Sequence, residues 1–311
     1  MRIVKWIISL LALSFLYYEI LVKHNAVDLL RQYKDTVVDV YPYLILVLLL
    51  MPINWMLEAY KWRMMFNTPE ELSFWNATKG VLMGVTLGLF TPNGIGEFAG
   101  RIWVVKEIHR ERAVSSSIAG SLAQLCITIT IGGAFVVFQA SQILAKEWLV
   151  TAQVLGVITV LVGLISYYKM PQIAAVVLSK IKFFDRFENF KQALESFTKR
   201  ELTMAYIISL IRYGVFCTQL GVLLYAIGGL YAVDLSFLFV TIPIYYYIQT
   251  LVPTVALSEI GVRGLILLFL FAGIMIESEV ILISFLIWII NLILPGLIGM
   301  YFLIRTRFVK R

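Results

Sequence analysis

Apolar residues run along this chain in long blocks, with short polar clusters between them. A helix crosses a bilayer with roughly 17–25 apolar residues. Six blocks approach that length, at about 6–22, 42–60, 113–138, 148–168, 202–226 and 280–304. Two more, 72–90 and 235–251, run into proline-containing breaks. Each break leads into another short apolar helix, at about 96–108 and 259–276. The stretches 26–42 and 172–197 mix charges with aliphatic residues. They read either as interfacial helices in the headgroup layer or as surface connectors.

The two breaks share a pattern. The first reads TPNGIGEFAGR (91–101) and the second VPTVALSEIGVR (252–263). Each has a proline after an apolar run, then an acid four residues before an arginine: Glu97–Arg101 and Glu259–Arg263. The copies lie about half the chain apart, which predicts an inverted repeat of two spans, a hairpin and one span. The expected fold is therefore an all-α polytopic membrane protein with about six full spans and two proline-broken re-entrant hairpins. It forms a single transmembrane domain over 1–311, with repeat 1 at about 1–140 and repeat 2 at about 145–305.

The chemistry of a break in hydrocarbon is restrictive. Non-helical backbone survives at membrane depth only inside protein or beside water. Pro92 and Pro253 lack the donor a helix needs, whereas Gly94 and Gly96 permit unusual angles and close approach. A helix restarting near Gly96 or Ser258 presents N–H groups and a positive dipole end, which favours anions. The four-residue spacing puts each acid and arginine on one helix face. These pairs are either salt bridges that lock the hairpins or parts of a functional site, since ionisable groups at membrane depth are costly.

Other polar residues interrupt the spans. Asn54 and Glu58 share a face, and Glu58 either faces a cavity or pairs with Lys61 or Lys79. Lys61 and Arg63 with Trp55 and Trp62 read as an interface anchor. Arg212 lies deep in its span, with a headgroup phosphate or Glu58 as partner. Gln124, Gln219, Gln249 and Asn291 read as interhelical hydrogen-bond glue, and AGSLA (119–123) and GGAF (132–135) as close-packing stretches. The tyrosines of IYYYIQ (244–249) read as aromatic packing.

Composition agrees with the pattern. The chain has 311 residues, 60% of them hydrophobic and 14% charged; soluble domains average about 45–50% and about 25%. A net charge of +7 raises the question of nucleic acid, but the placement of the charge argues for membrane orientation. With both termini cytoplasmic and each hairpin entering and leaving on one side, most basic residues share the cytoplasmic side. Only Lys23, Arg31, Lys34 and Lys146 fall outside. A multi-pass protein of the plasma (inner) membrane is expected, with the first helix retained because no small-x-small cleavage site follows it. Cys126 and Cys217 fall in apolar runs without paired spacing, so neither a disulfide nor a metal site is expected. No Walker A pattern occurs, and no cofactor is expected.

The motifs resemble a known family. TPNGIGEFAGR resembles the proline–glycine–glycine–glutamate motif of the lysylphosphatidylglycerol synthase membrane-region family, which includes flippase-like domains. EAYKWRMMF (58–66) is similar to its arginine/tryptophan stretch, and SEIGVRGLILL (258–268) to its second glutamate motif. Two departures are Asn93, where a small residue is expected, and TVALS (254–258), where relatives are often glycine-rich. The resemblance implies a protein that binds or translocates a phospholipid or a polyprenyl-linked lipid by its headgroup. Carried over by position, the motif residues are Pro92, Asn93, Gly94, Gly96, Glu97 and Arg101, then Pro253, Glu259, Gly261 and Arg263. Glu58 and Arg212 join them as deep charges. A membrane enzyme of glycosyl- or phospho-transfer on lipid-linked substrates, or an envelope scaffold, is the alternative. The bilayer and a lipid are the expected partners, nucleic acid is not, and a homo-oligomer is left open.

Overall fold

Apolar side chains that cannot face water must face lipid or each other, and here they do both. The computed structural model describes residues 36–66, 72–91, 94–139, 141, 146–180, 188–228, 234–252 and 256–306. The first expected span, 6–22, lies outside these, as do Pro92, Asn93 and Pro253. The side chains of 256–259, Glu259 included, are likewise outside the description.

The described elements are α1 (Thr36–Phe66), α2 (Phe74–Leu89), α3 (Gly96–Trp103), α4 (Arg110–Gln139), α5 (Lys146–Tyr168) and α6 (Met170–Ser179). They continue with α7 (Glu188–Glu195), α8 (Lys199–Ile227), α9 (Leu235–Leu251), α10 (Ala256–Leu270), α11 (Glu277–Trp288) and α12 (Leu294–Arg305). A π-helical turn, Ile289–Ile293, joins the last two. Five segments are long and apolar enough to cross a membrane: Val40–Phe66, Glu107–Gln139, Lys146–Tyr168, Lys199–Ile227 and Glu277–Arg305. These coincide with five of the six expected spans. The helix–break–helix pattern also appears twice, as α2–α3 and α9–α10.

Helix starts fall where polar residues separate the apolar runs. Ser73 caps α2, its hydroxyl accepting from the Asn76 N–H at 3.2 Å. Thr198 and Glu201 form a capping box on α8, with Thr198 N–H donating to Glu201 Oε2 at 2.8 Å. Asp234 caps α9, accepting from Ser236 N–H at 3.0 Å. Each such cap stabilises its helix by about 1 kcal/mol.

The interior holds three clusters. The largest joins α8, α9, α10 and α11 through Leu220, Leu224, Tyr245, Leu267, Phe271 and Ile283. The second joins Met65, Ala119, Ala123, Tyr167, Leu202 and Ala205. The third, beneath the first hairpin, joins Ala59, Trp62, Phe66, Val81 and Ala113. In contrast, α5 buries only Gly156 and Tyr167, and shows Leu155, Ile158, Leu161, Val162 and Ile165 outward. A contiguous apolar face of this kind suits hydrocarbon rather than water. The small residues of GGAF let helices meet closely. A side chain at Gly132 would strike Tyr247 of α9, and one at Gly133 would strike Val160 of α5 at 2.6 Å.

Candidate functional site

The first hairpin is built on glycine. Gly80, Gly84 and Gly88 recur every four residues along α2 and so form one stripe. Against it lie Gly96 and Gly100 of α3. A Cβ on Gly84 would meet the Glu97 carbonyl oxygen at 2.6 Å, and one on Gly88 would meet Glu97 Cγ at 2.9 Å. A Cβ on Gly100 would run into the backbone of Gly84 itself. Two helix backbones therefore touch without an intervening layer of side chains, the arrangement that small-xxx-small spacing permits. The turn between them uses Gly94 at φ 67°, a conformation in which other residues are strained. Thr91 closes the turn: its hydroxyl oxygen accepts the Gly96 N–H at 2.7 Å. One of the N–H groups expected to be free at this helix start is thus already taken.

The close contact fixes where α3 sends its charges. Glu97 stays near the turn, with 40% of its side chain exposed. Arg101, one turn further, is 3% exposed and points at α1. On α1, Asn54, Glu58 and Lys61 share a face at spacings of four and three, and all three are buried. Glu58 is the centre of the cluster. Its Oε1 accepts from Arg101 Nη2 at 2.9 Å. Its Oε2 lies 2.7 Å from Lys61 Nζ and 3.0 Å from Arg212 Nη1. Arg101 Nη2 also sits 4.0 Å from Glu97 Oε2. Thus the i,i+4 pair exists, but the nearer partner of Arg101 is 43 residues away.

Further contacts hold the cations in place. Arg212 Nε donates to Asn54 Oδ1 at 2.6 Å, and Nη1 reaches Gln124 Oε1 at 3.5 Å. Its guanidinium lies 5.1 Å from the Trp55 ring and 5.0 Å from Phe216. Arg101 lies 5.5 Å from the Trp62 ring. Lys61 donates to Ser209 Oγ at 3.2 Å. A planar, weakly hydrated guanidinium on an aromatic face suits a site away from bulk water. Even so, Arg101 Nε and Nη1 and the Trp55 indole N–H have no hydrogen-bond acceptor. Trp55, Glu58, Lys61, Glu97, Arg101 and Arg212 line a cavity of about 250 Å³, together with Ser121, Gln124, Leu125, Thr128 and Thr250.

The structure therefore brings Glu58, Glu97, Arg101 and Arg212 together. Gly94 and Gly96 shape the hairpin beside them. Arg263, on α10, is half-buried and not among the lining residues. The interface-anchor reading of Lys61 and Trp62 does not hold: both are 0% exposed, Trp62 because the first hairpin packs on it, Lys61 because it faces Gly120 of α4 and Ser209 of α8. Lys79, the other partner considered for Glu58, instead lies 5.7 Å from the Trp75 ring. Gln219 behaves as glue, donating to the Val47 carbonyl at 3.0 Å, whereas Gln124 lines the cavity. Two features escape a motif search. The stripe of Gly80, Gly84 and Gly88 is visible as four-residue periodicity, and Ser121, Gln124 and Thr128 form a polar stripe at spacings of three and four. No group of three metal-ligating side chains occurs among the described residues.

Comparison with curated proteins and with solved structures gives no match. The family model for the lysylphosphatidylglycerol synthase TM region, however, matches residues 2–299, nearly the whole chain. With its apolar spans and its first broken hairpin set against a buried charge cluster, this multi-pass membrane protein belongs to that family.

Proposed function

We propose that the chain binds a membrane lipid by its headgroup in the cavity beside Glu58 and carries it between leaflets. One observation carries the reading: Arg101 is buried, lines the cavity and keeps two nitrogens, Nε and Nη1, without an acceptor. A buried donor with no partner costs about 1–3 kcal/mol, which an arriving phosphate oxygen removes. The cavity is large enough for a headgroup and too small for acyl chains, which stay in the bilayer.

The same reading includes an inverted repeat, with Glu259 and Arg263 serving the second hairpin from the opposite leaflet. It includes both termini in the cytoplasm of a plasma-membrane protein. Cysteines placed at Asn93 and Thr254 test the topology, since they should label from opposite sides. Reconstitution into liposomes with a fluorescent phospholipid tests transport. Wild type should equilibrate the lipid between leaflets, and Arg101→Gln and Glu97→Gln should slow it at least tenfold. Wild-type liposomes that move no lipid, with Glu97→Gln binding lipid as well as wild type, would sink the proposal.

A further inference from the structure

The cavity has a definite charge balance, and that balance constrains the headgroup. Among the described lining residues there are three cations, Lys61, Arg101 and Arg212, and two carboxylates, Glu58 and Glu97. One positive charge is therefore in excess.

Hydrogen bonding points the same way. The unpartnered lining groups include three donors: Arg101 Nε, Arg101 Nη1 and Trp55 Nε1. The deeper acid is committed, because Glu58 Oε1 holds Arg101 and Oε2 is ion-paired to Lys61 and Arg212. Glu97, partly exposed at the turn, already lies 4.0 Å from Arg101. Among the described lining residues, the site thus offers donors and positive charge, with no deep carboxylate left for an ammonium group.

Resting on the lipid-binding reading above, we propose that the site selects a headgroup of net charge −1, a phosphodiester without an amino group. It disfavours two neighbouring classes. A phosphomonoester or diphosphate brings about −1.5 to −2 charges or more at neutral pH and overfills the site. A lysyl-type headgroup, one phosphodiester and two ammonium groups, is net positive and meets a site already in positive excess. The chain would then differ in preference from the lipid for which its family is named. The shared chemistry, a phosphate monoanion, could also come from free inorganic phosphate.

Native mass spectrometry on the purified full chain tests this. The probes are phosphatidylglycerol, phosphatidic acid and lysylphosphatidylglycerol with identical acyl chains, and inorganic phosphate alone. Wild type should bind phosphatidylglycerol at least tenfold tighter than either other lipid. Glu97→Gln, which raises the excess to two charges, should move the preference toward phosphatidic acid. Trp55→Phe, which removes one donor and no charge, should weaken phosphatidylglycerol several-fold without changing the order, and it serves as a second probe should Glu97→Gln fail to fold. Equal binding of phosphatidylglycerol and lysylphosphatidylglycerol, or an unchanged order in folded Glu97→Gln, overturns the selectivity while leaving lipid binding intact. Binding of inorganic phosphate with no lipid overturns both.

Discussion

Removing the charge of Glu58 is the sharpest perturbation of this fold. Glu58→Gln keeps the shape and leaves Lys61, Arg101 and Arg212 buried without the carboxylate they surround. An ion pair about 4 Å apart at an effective dielectric near 20 is worth about 4 kcal/mol. Three such attractions total roughly 12 kcal/mol, opposed by the desolvation of four buried ions and by repulsion among the three cations. A cluster stripped of its anion loses all three attractions and keeps the repulsion. Breaking a buried pair from one side costs about 3–5 kcal/mol. At roughly 2 °C per kcal/mol for a chain of this size, the melting temperature should fall by about 6–10 °C. Thermal unfolding in detergent, followed by tryptophan fluorescence, reads this directly. Adding Lys61→Met should recover part of the loss, because it removes one stranded cation and fills its space with an apolar chain of similar length. A single Glu58→Gln variant melting within 2 °C of wild type would refute the reasoning and mean that water or a counter-ion reaches the cluster.

Three further outcomes follow from the packing. Gly100→Ala places a methyl group against the Gly84 backbone, so it should part α2 from α3, lower the melting temperature by several degrees and abolish lipid equilibration in liposomes. Gly94→Ala at φ 67° should cost roughly 1–2 kcal/mol, visible as a 2–4 °C fall in melting temperature. Arg112 donates to the Met65 and Phe66 carbonyls at the end of α1 and to Ser196 Oγ beyond α7, so Arg112→Ala should speed proteolysis at 188–196 without changing lipid preference.

Much of the helical layout was legible because hydrophobic length is a one-dimensional property. The five spans within the described residues, and both helix–break–helix units, follow from run length and proline position. The site was legible only in part. Spacing puts Glu97 and Arg101 on one face, but no local rule says that Arg101 turns first to Glu58 on another helix. Arg212 and Glu58 were recognisable as partners because both sit too deep to be left alone. Lys61 and Trp62 were misread for a physical reason: lysine beside tryptophan near a span end looks like an interface, but distant helices bury both, the first hairpin over Trp62 and α4 and α8 around Lys61. Glycine spacing at 80, 84 and 88 carried the information that a cover for Trp62 was available.

The contact of backbone on backbone has a mechanical consequence. Helices separated by side chains can slide as rotamers adjust, but α2 and α3 have no such cushion at Gly84 and Gly100. α12 is tied to the same helix, through Thr86 Oγ1 donating to the Gly296 carbonyl at 2.7 Å and through Gly299 seated on Leu82. The three helices are therefore packed as one unit. The π-helical turn Ile289–Ile293 leads into α12, and the side-chain amide of its buried Asn291 has no hydrogen-bond partner. Because Arg101 rides on α3 while Glu58 belongs to α1, any displacement of this unit relative to α1 would stretch the 2.9 Å ion pair between them.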